Sequence, residues 1–174
     1  EIEAGKFVTG RIRKMGVLYL NNVKIEMCND AKTPDNIVSY QEGNIEIKDA
    51  DKNDDNKISW VEINDDDKKL LICNKNLIKG ISWNELNDQN LTYGKIIKLG
   101  GRKYLLRLLT GATTESGEDF SEWDKYILNV NGLEELPVST DEDKNNTVKE
   151  ESENIELGES NMLWNWRACC SFTQ

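Results

Sequence analysis

The chain has 174 residues, of which 37% are hydrophobic and 31% charged, and its 32 acidic and 22 basic residues give a net charge of −10. It contains no histidine, which excludes catalytic triads and zinc sites that depend on an imidazole. The acidic balance argues against nucleic acid as a partner, and no apolar run reaches the roughly 18–20 residues that cross a bilayer, so we expect no membrane insertion.

Charge is unevenly distributed along the chain. Residues 111–160 hold 15 acidic and 3 basic residues, a local balance of −12, whereas the rest of the chain sums to +2. Residues 71–110 carry 7 basic and 2 acidic residues. This contrast predicts a basic segment that docks against an acidic neighbour, with a solvated acidic loop beside ordinary lysine-bearing strands as the alternative.

Residues 1–90 are predicted to form one or more β-rich modules. Val17–Leu20 and residues 23–27 flank Asn21 and Asn22, which tolerate positive φ, and this arrangement is typical of a β-hairpin. The second arm alternates apolar and charged residues, so one of its faces should be buried and the other exposed.

The sharpest local motif is an acidic hairpin at residues 51–62. Its oxygen-bearing side chains follow the spacing of an EF-hand calcium loop, with a glutamate at position 12 to close the site. We therefore predict calcium as a cofactor in a structural role, with these ligand positions: Asp51, Asn53, Asp55, Lys57, Ser59 and Glu62. The flanking segments resemble strands rather than helices, and Asn56 replaces the usual glycine, so a metal-free acidic hairpin tip is the alternative.

An I-S-W-x-E-[I/L] pattern occurs twice, at residues 58–63 and 81–86. The two copies start 23 residues apart. Two copies are too few to indicate a solenoid. They represent either a duplicated strand–turn unit or a chance repeat in a chain rich in isoleucine, asparagine and lysine.

The strongest hairpin signal lies in residues 91–110. Lys95–Leu99 and residues 102–109 flank Gly100 and Gly101, so we predict two strands joined by a tight glycine turn.

A helix is predicted at residues 118–130. Its apolar residues recur with the helical period and are expected to face the core: Phe120, Trp123, Tyr126, Ile127 and Val130. Ser116 or Asp119 can cap its start, and Asn131 with Gly132 can end it in the left-handed conformation.

Residues 136–160 are predicted to form a long acidic surface loop, because they contain too few apolar residues to offset the entropy of ordering. The apolar residues 162–166 then predict a strand that pairs with a neighbouring subunit or with further sequence. Four cysteines, Cys28, Cys73, Cys169 and Cys170, show no C-x-x-C spacing, and we expect reduced, partly buried thiols.

No nucleophile–base pair, phosphate-binding glycine loop or dinucleotide fingerprint occurs in the sequence. We therefore expect a protein that is not an enzyme and has no catalytic residues.

Four short motifs in the second half resemble a family of clostridial phage and prophage proteins. They are Y-L-L-R-L-L-T-G-A at 104–112, S-E-W-D-K-Y-I at 121–127, L-W-N-W at 163–166 and C-S-F-T-Q at 170–174. The family has a Y-x-x-R-L-L-T-G-G strand, an N-E-W-D helix start, a variable polar loop and a W-N-W…S-W-C-Q stretch in the same order. It is similar to the C-type-lectin-like fold shared with formylglycine-generating enzymes.

The resemblance implies that residues 91–174 form a partial C-type-lectin-like domain with one clear helix, in which residues 136–160 occupy the place of the variable loop. Family members continue beyond the last motif. The enzyme relatives need a reactive or copper-binding cysteine pair that Cys169 and Cys170 do not reproduce, so sulfatase-modifying activity is not implied.

We therefore expect a β-rich α+β fold and a non-enzymatic structural or recognition component of a phage or phage-like particle, such as a tail, fibre or head-decoration protein. The expected location is the virion, and the expected partners are further copies of the chain, other virion proteins, and a host surface glycan or protein. The alternative is a calcium-dependent carbohydrate-binding or adhesion module at the bacterial surface, with tryptophans that stack on sugars.

Overall fold

A computed structural model describes residues 6–26, 37–66, 68–111, 121–130, 132–140 and 159–164. Within these ranges the strands are β1 (Ile12–Lys14), β2 (Val17–Leu20), β3 (Val23–Lys24), β4 (Val38–Ser39), β5 (Ile45–Lys48), β6 (Ser59–Asp65), β7 (Lys68–Cys73), β8 (Ile78–Lys79), β9 (Lys95–Leu99) and β10 (Arg102–Leu106). The helical segments are α1 (Trp83–Asp88), a π-helical turn (Trp123–Ile127) and α2 (Glu159–Trp164). The predicted β-rich α+β character is confirmed.

The longest strand, β6, lies at the centre of an antiparallel sheet in the order β1-β6-β7. A second antiparallel sheet has the order β3-β2-β5. The two sheets meet where the chain passes from β1 to β2, because Ile58, just before β6, accepts a hydrogen bond from Met15 and donates one to Gly16. Gly16 has φ +70°, and a Cβ there would lie 2.7 Å from Ile47, so this corner requires glycine.

Both predicted hairpins are confirmed. Strands β2 and β3 pair across Asn21 and Asn22, whose φ angles are 50° and 63°. Strands β9 and β10 pair across Gly100 and Gly101, with φ angles of 55° and 77°. Two successive positive φ angles match the right-handed twist of the strands that they join.

Two apolar clusters flank β6. Trp60 belongs to the first cluster, together with residues of β2, β5 and β9. Val61 and Ile63 belong to the second cluster, together with Tyr126 of the π-helical turn and Trp164 of α2. Since neighbouring residues of a strand point to opposite faces, this one strand contributes to both cores.

The first cluster crosses the predicted domain boundary at residue 90. Leu91 and Leu99 are buried in it beside Leu18 and Ile45. Residues on both sides of position 90 therefore share one core, and the division of the chain into residues 1–90 and 91–174 stays a prediction.

The two copies of the I-S-W-x-E pattern fold differently, so the interpretation as a duplicated structural unit is wrong. The first copy lies mainly in β6, whereas the second forms the start of α1. In α1, Ser82 and Glu85 form a capping box: the Ser82 hydroxyl accepts from the Glu85 N–H at 3.2 Å, and the Glu85 carboxylate accepts from the Ser82 N–H at 2.7 Å. This reciprocal pair favours a helix start.

The predicted helix at 118–130 is only partly confirmed. The described part has a short π-helical turn, in which Tyr126 and Ile127 are buried as expected. Val130 is 52% exposed, so its predicted place on the core face is wrong. The reason is that the chain leaves the helical path at Asn129, which has φ 52°.

The predicted strand at 162–166 is also wrong in its described part. Residues 159–164 form α2, and Trp164 is buried in the second cluster. A short apolar run is compatible with either a buried strand or a buried helix, and here packing against Tyr126 and Ile127 determines the result.

Several predictions lie outside the described residues. They concern Cys28, Cys169, Cys170, Phe120, the capping residues Ser116 and Asp119, Asn131, and most of the acidic loop, residues 141–158. Among the helices that the structure describes, none combines the length and apolar character required to cross a membrane.

Candidate functional site

The predicted calcium loop forms an exposed turn between β5 and β6. The N–H of Asp54 donates to the carbonyl of Asp51 at 3.0 Å, and the N–H of Asn56 donates to Asp54 Oδ1 at 2.9 Å. Asp54 also pairs with Lys24 of β3. Asp51, Asn53 and Asp55 are exposed on this turn, while Lys57 is half-buried. An EF-hand loop has glycine at the position of Asn56, where the chain turns sharply. Asn56 is not among the described residues with positive φ.

Two predicted ligands lie on β6 rather than on the turn. Ser59 is half-buried at the first position of β6, where it is the partner of Lys14. Glu62 is fully buried three residues further along the strand. The structure therefore places the predicted ligands in two groups, one on the exposed turn and one on the central strand.

Glu62 binds two arginines: Arg13, which lies in β1, and Arg11, which directly precedes this strand. We name Glu62, Arg11 and Arg13 the Glu62 cluster. Arg11 donates to Oε2 at 3.0 Å through Nε, and its Nη2 lies 2.7 Å from that oxygen. Arg13 donates to Oε1 at 2.6 Å through Nε, and its Nη2 lies 2.5 Å away. The N–H of Val8 donates to Oε2 at 2.9 Å. Both carboxylate oxygens are thus engaged by cationic donors.

These contacts determine the charge state of Glu62. Burial by itself would raise the pKa of this carboxyl, but hydrogen bonds from Val8, Arg11 and Arg13 outweigh that effect and hold its pKa below the usual value. A calcium ion could use Glu62 as its closing ligand only after displacing the guanidinium groups. Within the described ranges, no group of three or more acidic or cysteine side chains could hold a metal ion.

A second buried carboxylate joins two of the motifs that carry the family resemblance. Glu122 accepts from Arg107 Nη1 and Nη2, each at 2.6 Å. It also accepts from the Thr110 N–H at 3.2 Å, and its own N–H donates to Thr110 Oγ1 at 2.8 Å. We name Glu122, Arg107 and Thr110 the Glu122 cluster. The Arg107 guanidinium lowers the pKa of Glu122 below its usual value.

A third polar group connects β6 to the π-helical turn. The Tyr126 hydroxyl donates to Asp65 Oδ2 at 2.7 Å, and Lys125 Nζ lies 2.5 Å from the same oxygen. Lys125 and the Tyr126 hydroxyl together lower the pKa of Asp65. Burial and this hydrogen bond raise the pKa of Tyr126. Glu62, Glu122 and Asp65 therefore each connect one secondary-structure element to another.

An apolar cavity of about 570 Å³ is lined by residues from both cores, among them Trp60, Leu71, Ile127 and Trp164. The Cys73 thiol also lines it and is a free cysteine. Burial raises the pKa of this thiol to about 11, so at neutral pH it is the protonated, poorly nucleophilic form.

One strongly exposed apolar surface lies on the β9–β10 hairpin. The outward side chains Ile96 and Leu105 are 64% and 55% exposed and stand directly opposite each other. Lys98 and Lys103 form the next outward pair in the register. We name Ile96, Leu105, Lys98 and Lys103 the hairpin face. It presents an apolar centre beside two positive charges, which is a composition suited to recognition of an acidic surface.

The Glu62 and Glu122 clusters are not among the features predicted from the sequence. A signal for the first exists in the sequence, since Arg11 and Arg13 are two residues apart and so share one face of a strand. The register that sets them against Glu62 is a tertiary property, because β1 and β6 are about 50 residues apart.

The chain matches no family model, no curated protein and no solved structure. The resemblance to phage proteins therefore stays a prediction, although the structure does bring two of its motifs together in the Glu122 cluster.

We predict that E62Q lowers the free energy of unfolding by about 3 kcal/mol, because two arginines lose their shared carboxylate in a buried site. Urea denaturation of wild type and variant measures this change. The matched control is E46Q, since Glu46 is partly exposed and its carboxylate lies 3.0 Å from Lys48 Nζ; its cost should stay below about 1 kcal/mol. Equal costs for the two variants would contradict a stabilising role of the Glu62 cluster.

The calcium prediction is tested by thermal melting with millimolar calcium and with chelator. If the turn binds calcium, the cation raises the melting temperature of the wild type, and D51N/D55N removes the effect because it removes two exposed ligands. E62Q alone is a poor test, because it destabilises the fold without calcium. Equal wild-type melting temperatures in both conditions would end the calcium hypothesis.

Acid should destabilise the protein through Glu62 and Glu122. Their pKa values in the folded state lie below the usual value of about 4.3, so their stabilising contribution is complete above about pH 5 and is lost as the pH falls through the folded-state values. Urea denaturation between pH 7 and pH 3 should show a shallower loss in E122Q than in wild type. An unchanged pH profile in E122Q would contradict this.

Proposed function

We propose that this chain is a non-enzymatic structural or recognition component of a phage or phage-like particle. The observation that carries the proposal is the hairpin face, which exposes Ile96 and Leu105 on a rigid two-stranded element. Two adjacent exposed apolar side chains on one face of a hairpin, beside two positive charges, support a contact surface.

The chemistry of the buried charged residues supports a scaffold role. Glu62 and Glu122 each accept several hydrogen bonds from fixed donors and are held in the ionised form. A general acid or base needs a pKa near the working pH and access to a substrate. These two carboxylates have pKa values shifted away from neutrality, and their oxygens are occupied by arginines.

The motifs of the phage-protein resemblance give further support. The R-L-L-T and E-W-D motifs contribute Arg107, Thr110 and Glu122 to one buried cluster. A shared structural role for these residues explains why they recur together, and it fits a C-type-lectin-like scaffold in residues 91–174 that displays a variable loop.

The carbohydrate-binding alternative has weaker support from the tryptophans. Trp60 and Trp164 are buried in the two cores, so neither can stack on a sugar. Trp83 is half-buried and contacts the exposed Tyr93 ring edge to face, with ring centroids 6.2 Å apart, so part of its surface is covered.

The proposal is tested in phage-like particles purified by density gradient from a bacterium that carries the gene. We expect the chain to migrate with the particles and to be detected by mass spectrometry in a fixed ratio to the major particle protein. A cytoplasmic enzyme of similar abundance serves as the control for carry-over. Detection of the chain only in the particle-free fractions would refute the proposal.

A further inference from the structure

Among the residues that the structure describes, the lysine pair of the hairpin face is electrostatically unfavourable. Lys98 and Lys103 stand directly opposite each other on β9 and β10, both exposed. Like charges in this position destabilise a hairpin. In the described part of the chain, neither lysine forms an ion pair, whereas Lys24, Lys48, Lys68 and Lys125 do. An acidic partner across this face would remove the repulsion.

The same chain exposes residues of the opposite charge in the described parts of the segment 129–139. Val130 and Val138 are 52% and 57% exposed, and Glu134 and Glu135 are exposed between them in sequence. We name these four residues the acidic face. Like the hairpin face it combines two apolar side chains with two like charges, but the charges are negative.

A buried asparagine anchors residues 133–136, which include both glutamates. Asn129 Nδ2 donates to the carbonyls of Leu133 and Leu136 at 3.0 and 2.8 Å, and Asn129 Oδ1 accepts from the Leu133 N–H at 2.7 Å. The Ser139 N–H donates to the Leu128 carbonyl at 3.1 Å and closes the loop. The acidic face is therefore presented on a preorganised backbone, which reduces the entropy lost on binding.

We propose that the hairpin face of one copy of this chain binds the acidic face of a second copy. Lys98 and Lys103 pair with Glu134 and Glu135, and the exposed apolar residues of the two faces cover each other. Contact of two hairpin faces with each other is disfavoured, because it sets four lysines together. The inference supplies a partner for the structural role proposed above and rests on that proposal.

The geometry of this contact determines the kind of assembly. Because the two faces are different surfaces of one chain, repeated one-sided contacts produce a ring or a filament, whereas a reciprocal arrangement, in which each copy's hairpin face meets the other's acidic face, closes as a dimer. Each face is small beside the roughly 800 Å² per partner of a stable complex, so a single contact is weak. Assembly should then depend strongly on concentration and on salt.

Sedimentation velocity of the full chain over a range of concentrations tests the inference. At about 0.01 M salt we expect associated species, dimers or larger, to grow with concentration, and at about 1 M salt we expect this growth to be lost as charges are screened. K98E/K103E should weaken association at least about tenfold, and E134K/E135K should do the same. Combining both pairs of changes should restore it, because the charges are exchanged across the contact.

The matched control is K14E/K69E, which makes the same change in net charge on the exposed lysines Lys14 and Lys69 of β1 and β7. It should leave association close to wild type, and melting curves establish that every variant is folded. A wild type that stays monomeric, a closed dimer insensitive to E134K/E135K, or equal effects of K14E/K69E and K98E/K103E would each overturn the inference. Binding to anionic vesicles without self-association would overturn it as well.

The two proposals fail separately. A chain that self-associates as described but never migrates with particles would end the proposed function alone. A chain that is part of the particle but is monomeric in solution at all concentrations would end the inference about the hairpin and acidic faces alone.

Discussion

The ion pairs between Glu62 and the two arginines of the Glu62 cluster are the interaction on which the described fold depends most. Strand β6 carries Glu62, and the same strand supplies Trp60 to one core and Val61 to the other. The arginines attach β1 to this central strand and neutralise a carboxylate that could not otherwise remain charged in a buried position. Both cores are assembled on the strand that this cluster holds in register.

The Glu122 cluster, in the second half of the chain, also pairs a buried carboxylate with an arginine. Arg107 follows β10 and binds Glu122, which precedes the π-helical turn. Thr110 also binds Glu122, through both its backbone and its side chain. Lys68 of β7 lies 3.7 Å from Glu122 and extends the contact to the central sheet. Buried charge is therefore used twice to connect elements that are distant in sequence, while the outer side of the β9–β10 hairpin is left open for contact.

The two hairpin turns could be predicted from the sequence, whereas the contacts between strands that are distant in sequence could not. The two tight hairpins follow from Asn-Asn and Gly-Gly pairs, since a two-residue turn with positive φ depends only on those residues and their flanking strands. Both I-S-W-x-E copies carry a serine three residues before the glutamate, but only Ser82 and Glu85 form a capping box. In the first copy, Glu62 instead binds Arg11 and Arg13, which are distant in sequence. The spacing predicts Glu62 as a calcium ligand, but spacing alone cannot indicate that its carboxylate contacts Arg11 and Arg13.

The missing imidazole has a consequence for how the molecule responds to its surroundings. No side-chain type in this chain has an ordinary pKa between about 5 and 8, and burial moves the Cys73 thiol still further from that interval. Mild acidification or alkalinisation therefore leaves the charge pattern of the surface almost unaltered. Binding through those surface charges should therefore depend far more on the salt concentration of the solution than on its pH.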